Sequence, residues 1–162
     1  MSIKVEQAVA TFLGSNQIDW EKLKPVMYFV VLWNRLEARH GKHITVAYLE
    51  VESVRVARLA GFDISKYIPS ISFFKQRYKS NPHYIDGLFR ARNVEPNVQQ
   101  SVTKLLSDAI LTAQEQLQGT LMIPYRIRNN LFHGNKETKD LYSQTELFEN
   151  VNEVLCLFHD DM

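Results

Sequence analysis

Apolar residues recur at helical spacing, three and four apart, along nearly the whole chain, and no run shows sustained two-residue alternation. Ile3, Val5, Val9, Phe12 and Leu13 predict a short first helix, with Ser2 as its N-cap and Gly14 as its stop. Asp19 is a candidate cap for the next helix, which takes Pro25 in its early turns, runs through Phe29, Val30, Trp33 and Leu36, and halts at His40-Gly41. Thr45 to Ala60 mixes both signals. Val46, Tyr48 and Val51 would suit a strand, but Leu49, Ser53, Val56 and Leu59 fit a helix ending at Gly61, and the segment has no internal turn signal.

Asp63 to Pro69 reads as a connection, Ser70 to Tyr78 as a short helix, and Ser80-Asn81-Pro82 as a break. Residues 84–95 read as a connector with one helical turn at Ile85 to Phe89. Val98, Val102, Leu105, Leu106, Ala109, Ile110, Ala113 and Leu117 form one continuous stripe, predicting a single helix from Pro96 to a stop at Gly119. Residues 120–133 continue helically, with Pro124 expected to kink or restart the helix. Ser143-Gln144-Thr145-Glu146 has the spacing of a capping box before a final helix lined by Leu147, Phe148, Val151, Val154, Leu155 and Phe158. The expected fold is all-α: one domain, residues 1–162, an antiparallel helical bundle with the helices after residue 96 at its centre.

Composition narrows the functional classes. The 162 residues are 45% hydrophobic and 23% charged, enough to build a core without disulfides or metals. Nineteen basic and eighteen acidic residues leave a net charge of +1, so nucleic acid would have to be met by a local patch, not by overall charge. The only cysteine, Cys156, lies in the apolar run Val154 to Phe158 and reads as a small buried hydrophobe. The longest apolar run, Val26 to Trp33, is far short of the ~20 residues that span a bilayer. No targeting segment is evident, and the expected location is the cytoplasm.

One segment stands apart. Arg126, Arg128, Asn129, Asn130 and His133 fall within eight positions, between apolar residues that must face a core. On an ideal helix Arg126, Asn129, Asn130 and His133 share a face, whereas Arg128 lies about 140° around from His133. Gly134 offers a place for the last turn to unwind and bring the two together. These residue types suit phosphodiester cleavage. An imidazole moves protons near neutral pH. A guanidinium forks onto phosphate oxygens and counters charge that builds up in the transition state. RNA carries its own nucleophile in the 2′-OH, so no metal-activated water is needed. The bland alternative is a helix end where Arg128 pairs with a carboxylate and His133 caps the last turn.

The string Arg128-Asn129-Asn130-Leu131-Phe132-His133-Gly134 resembles the motif of the HEPN superfamily: an arginine, a polar neighbour, and a histidine after four to six intervening positions. Weaker resemblances extend to Phe29–Glu37, Phe73–Tyr78 and the helix opening at Glu146-Leu147-Phe148. The resemblance implies a helical bundle that pairs as a homodimer, with two Arg/His motifs meeting in one cleft. It implies a metal-independent endoribonuclease of the toxin–antitoxin, phage-defence or RNA-processing kind, without a cofactor. RNA is then the substrate, and an antitoxin or other regulatory protein a further partner. Carried over by residue, Arg128, Asn129 and His133 are the catalytic set, while Arg126, Asn130 and Lys136 contact RNA or phosphate. Arg126 also satisfies the spacing to His133, so the dominant arginine stays open. A non-catalytic HEPN module binding a nucleotide, RNA or a protein, and a purely structural helical adaptor, are the rival classes.

Around this segment, Glu37 reads first as a solvated helix-face charge and second as an ion-pair partner for a motif arginine. His40 and His43 flank Gly41 without enough companions for a metal site. Tyr28, Phe29, Trp33, Phe73, Phe74 and Tyr78 read as core aromatics, not as a base-stacking platform.

Overall fold

The computed structural model describes residues 3–90, 94–132 and 140–162, excepting the side chain of Ile3. Among them are eight α-helices and no strand: α1 Ile3–Phe12, α2 Trp20–His40, α3 Val46–Ala57, α4 Ile68–Ser80, α5 Pro82–Leu88, α6 Pro96–Leu106, α7 Ala113–Phe132 and α8 Thr145–Asp161. Short 3-10 turns at Ile64–Tyr67 and Tyr142–Gln144 precede α4 and α8. The all-helical reading therefore holds.

Local chemistry sets most boundaries. The Asp19 carboxylate accepts the Lys22 amide at the start of α2, and the Thr45 hydroxyl accepts the Tyr48 amide at the start of α3. Gly41, at φ +73°, closes α2 by returning its amide to the Glu37 and Ala38 carbonyls. Asn81 caps α5, with Pro82 in its first turn, so the helix fills Pro82–Leu88 instead of the single later turn expected at Ile85 to Phe89. Pro25 lies inside α2, where Asn152 of α8 donates to its carbonyl at 2.8 Å.

Several expectations are corrected. The continuous stripe from Val98 to Leu117 is two helices broken at 107–112. Ile110, placed by periodicity on the buried face, is fully exposed. The break is stabilised on both sides. The Ser107 hydroxyl takes the Ala109 amide, and Thr112 and Glu115 form a reciprocal box: the Thr112 amide bonds the Glu115 carboxylate at 2.9 Å and the Glu115 amide bonds the Thr112 hydroxyl at 3.2 Å. Gly119 is not a stop but an interior residue of α7, where that helix crosses α6. Pro124 does not restart the helix, which continues to Phe132. Ser143 makes no capping box; its hydroxyl bonds the Asp140 carbonyl, and α8 begins at Thr145 with no side-chain cap. Cys156 is exposed, because it points away from the face carrying Val151, Val154, Leu155 and Phe158. Tyr28 is exposed too, whereas Phe29, Trp33, Phe74 and Tyr78 are in the core. Ser2, His133, Gly134, Asn135, Lys136 and Lys139 lie outside the described residues.

The helices pack around α7. It meets α3, α5, α6 and α8, and α8 packs in turn along α2. Except for Gln118, every residue of α7 from Leu117 to Ile127 is buried. A helix enclosed in this way has no solvent face, which explains its unusual interior polar residues: each must find a partner inside the protein. No helix among the described residues is long and apolar enough to cross a membrane.

Candidate functional site

The last two turns of α7 sort their polar residues into two groups. Arg126 is only 2% exposed. Its Nε donates to the Leu88 carbonyl at 3.3 Å and its Nη2 to Asn130 Oδ1 at 3.2 Å. Asn130, also buried, donates Nδ2 to the Gly87 and Leu88 carbonyls at 3.2 and 3.1 Å. Together they satisfy the carbonyls at the end of α5, which a helix terminus otherwise leaves unpaired. Burial pushes the Arg126 pKa down from its usual value, opposed by Glu95 and by Tyr125. This pair joins α5 to α7 from within.

The second group faces outward. The Arg128 side chain is 21% exposed, and its Nη2 donates to Glu37 Oε1 at 3.3 Å across to the last turns of α2. Its Nη1 donates to Asn129 Oδ1 at 3.3 Å, and its guanidinium carbon lies 5.3 Å from the centre of the half-exposed Phe132 ring. Arg128 Nε is buried and has no hydrogen-bond partner among the described residues. Nearby, the Tyr125 hydroxyl donates to Glu95 Oε1 at 3.1 Å. Burial raises the Tyr125 pKa, so the phenol stays neutral as a donor.

Glu37 is therefore no solvated helix-face charge. Its side chain is 17% exposed, and the same Oε1 that meets Arg128 lies 3.4 Å from His43 Nδ1. One carboxylate oxygen thus joins a motif arginine to a histidine from the turn after α2. The sequence held one clue to this: Glu37 lies one helical turn beyond the core residue Trp33, on the side that faces α7.

The structure thus brings together Arg128, Asn129, Glu37 and His43, and places Arg126 and Asn130 in a separate, buried group. The helical-face argument that united Arg126, Asn129 and Asn130 is resolved by partners: Asn129 accepts from Arg128, and the other two turn to α5. His133 and Lys136 lie outside the described residues. No group of three or more His, Cys, Asp and Glu side chains suited to a metal ion occurs among the described residues. The chemistry available at the exposed cluster is that of a fixed guanidinium, a carboxylate, an amide and an imidazole: anion binding, charge stabilisation and proton transfer.

Comparison with family models, with curated proteins and with solved structures finds no match to this chain.

Proposed function

We propose that this chain is a HEPN-type endoribonuclease that cleaves RNA by attack of a ribose 2′-OH on the adjacent phosphate, leaving a 2′,3′-cyclic phosphate and a 5′-OH. The observation that carries the reading is the presentation of Arg128. It sits one residue beyond the sealed stretch of α7, its guanidinium is partly open to solvent, and Glu37 and Asn129 fix its fork from behind. An arginine held this way loses little freedom when it meets a phosphate, so its charge acts on the transition state without reorganisation. Arg126, already committed to Leu88 and Asn130, is a positioning residue for the helix that carries Arg128. His133 supplies proton transfer, and Asn129 orients Arg128. Two chains pair so that their motif segments share a cleft, and the reaction takes place in the cytoplasm.

The test is direct. Purified protein in EDTA is incubated with single-stranded RNA and the product ends are identified. Wild type should yield 2′,3′-cyclic phosphate ends. Arg128→Ala and His133→Ala should each lower the rate about 10²-fold or more while retaining the helical circular-dichroism signal. Wild type that binds RNA without cutting it would replace this reading with the second.

That second reading is a non-catalytic module that binds a nucleotide, RNA or a partner protein, and one observation favours it. The chain as a whole carries a net charge of only +1, which gives it little general pull on a long RNA substrate. It predicts binding that survives His133→Ala and weakens with Arg128→Ala.

A further inference from the structure

We infer that His43 is a second proton-transfer group of this site, the general base that takes the proton of the attacking 2′-OH. The inference rests on the ribonuclease reading above and assigns to that site a residue from α2's exit turn, outside the arginine–histidine motif.

The geometry begins with Gly41. Its left-handed conformation, φ +73°, turns the chain sharply at the end of α2, and the buried Ile44 and the Thr45 cap of α3 pin the far side of the turn. His43, between them, folds back towards the last turn of α2, and Nδ1 comes to 3.4 Å from Glu37 Oε1. A carboxylate oxygen only accepts hydrogen bonds, so Nδ1 carries the proton of that contact. In the neutral ring Nε2 is then left with its lone pair. The His43 side chain is 88% exposed, which leaves Nε2 free to meet a substrate. A carboxylate that fixes the tautomer of an imidazole beside a reacting centre is a standard way to present a base.

The same Glu37 oxygen receives Arg128 Nη2 at 3.3 Å. His43 Nδ1 and Arg128 Nη2 therefore lie no further apart than these two contacts laid end to end, with Nε2 one ring-width beyond Nδ1, a span that a phosphate and its neighbouring ribose can bridge. Cleavage moves two protons. The 2′-OH proton passes to His43 Nε2 as the 2′-oxygen bonds to phosphorus. The bond from phosphorus to the 5′-oxygen then breaks, and that oxygen takes a proton from an acid, for which His133 is the sequence's candidate. Arg128 counters the charge on the non-bridging oxygens. With both roles filled, neither histidine has to serve twice in one turnover.

The experiment compares two substrates: a dinucleotide with an ordinary 5′-alkoxide leaving group, and a nucleoside 3′-(4-nitrophenyl phosphate), whose leaving group needs no acid. Wild type, His43→Gln and His133→Ala are assayed on both, and the His43 imidazole NMR signals are followed while uridine 3′-monophosphate is added. As a base, His43 is required for both substrates, so His43→Gln should lower kcat about 10²-fold or more on each. His133→Ala should lower it only on the dinucleotide. The His43 signals should shift on adding the nucleotide. Loss confined to the dinucleotide in His43→Gln would make His43 the acid and overturn the assignment. Wild-type rates in His43→Gln on both substrates would overturn the inference while leaving the ribonuclease reading intact. Wild type inactive on both would remove that reading, and the inference with it.

Discussion

Gly119 sets how closely α6 and α7 approach. An added Cβ there would stand 2.8 Å from Leu105 Cβ and 2.9 Å from the Ser101 carbonyl oxygen. Carbon atoms in contact prefer about 3.5–4.0 Å, so Gly119→Ala must part the helices by roughly 0.7–1.2 Å. Neither neighbour can swing aside, since one is a backbone oxygen and the other is bonded to the backbone. The contact they would break is made by Val98, Val102, Leu105, Leu117 and Leu121, all 0–1% exposed. Overpacking of this kind costs up to about 3 kcal/mol. Alanine recovers about 1 kcal/mol of helix propensity over glycine. The expected net loss is about 2 kcal/mol, which for a chain of this size lowers Tm by roughly 4–8 °C. Gly87→Ala is the internal control: its Cβ would meet nothing within 4 Å, so helix propensity alone should raise stability by up to about 1 kcal/mol. Thermal unfolding of both variants, followed by circular dichroism, gives the comparison. A Gly119→Ala protein as stable as wild type would refute the claim that this glycine is required by close packing.

Two further outcomes follow from the sorting of polar groups. Arg126→Ala should lose about 3 kcal/mol, from an internal void and broken buried hydrogen bonds, whereas Arg128→Ala, at the end of α7 and bonded to a mostly buried Glu37, should lose less, about 1–2 kcal/mol; urea midpoints at an unchanged slope would measure both, and equal losses would contradict the division. Glu115 is held down at about 2, first by the Lys104 ammonium and then by the Thr112 amide and hydroxyl. Its folded value lies below its ordinary one of 4.5, so its contribution is complete above that pH and disappears as pH falls through about 2. Wild type should accordingly lose its advantage over Glu115→Gln across that interval, as read from Tm against pH, and a constant difference would contradict the pairing.

Boundaries governed by adjacent residues were legible in the sequence. The cap at Asp19 and the glycine stop at 41 act within a few positions, so a one-dimensional pattern contains them. The break at 107–112 was hidden because Ala109, Ile110 and Ala113 prolong the apolar spacing by coincidence. The competing signal, Thr112-Ala113-Gln114-Glu115, has the capping-box spacing and would have revealed it. At the candidate site the sequence supplied the residue types but not their partners. Arg126 and Arg128 look equivalent in a string of letters. They differ because one meets the carbonyl end of α5 and the other meets Glu37, contacts across 38 and 91 positions of chain. Likewise nothing local marks His43, whose significance comes from a carboxylate oxygen shared with α7.

The enclosure of α7 has a consequence for motion. Apart from Gln118 and Pro124, the residues from Leu117 to Ile127 have no outer face through which water can reach their amide protons, so these should exchange only when the whole molecule unfolds, and their rates would report global stability. Arg128 begins where that rigid axle emerges. Among the described residues, any adjustment that lets a ligand settle against it then falls to the opposite wall, the turn between α2 and α3, and not to the helix on which the arginine is mounted.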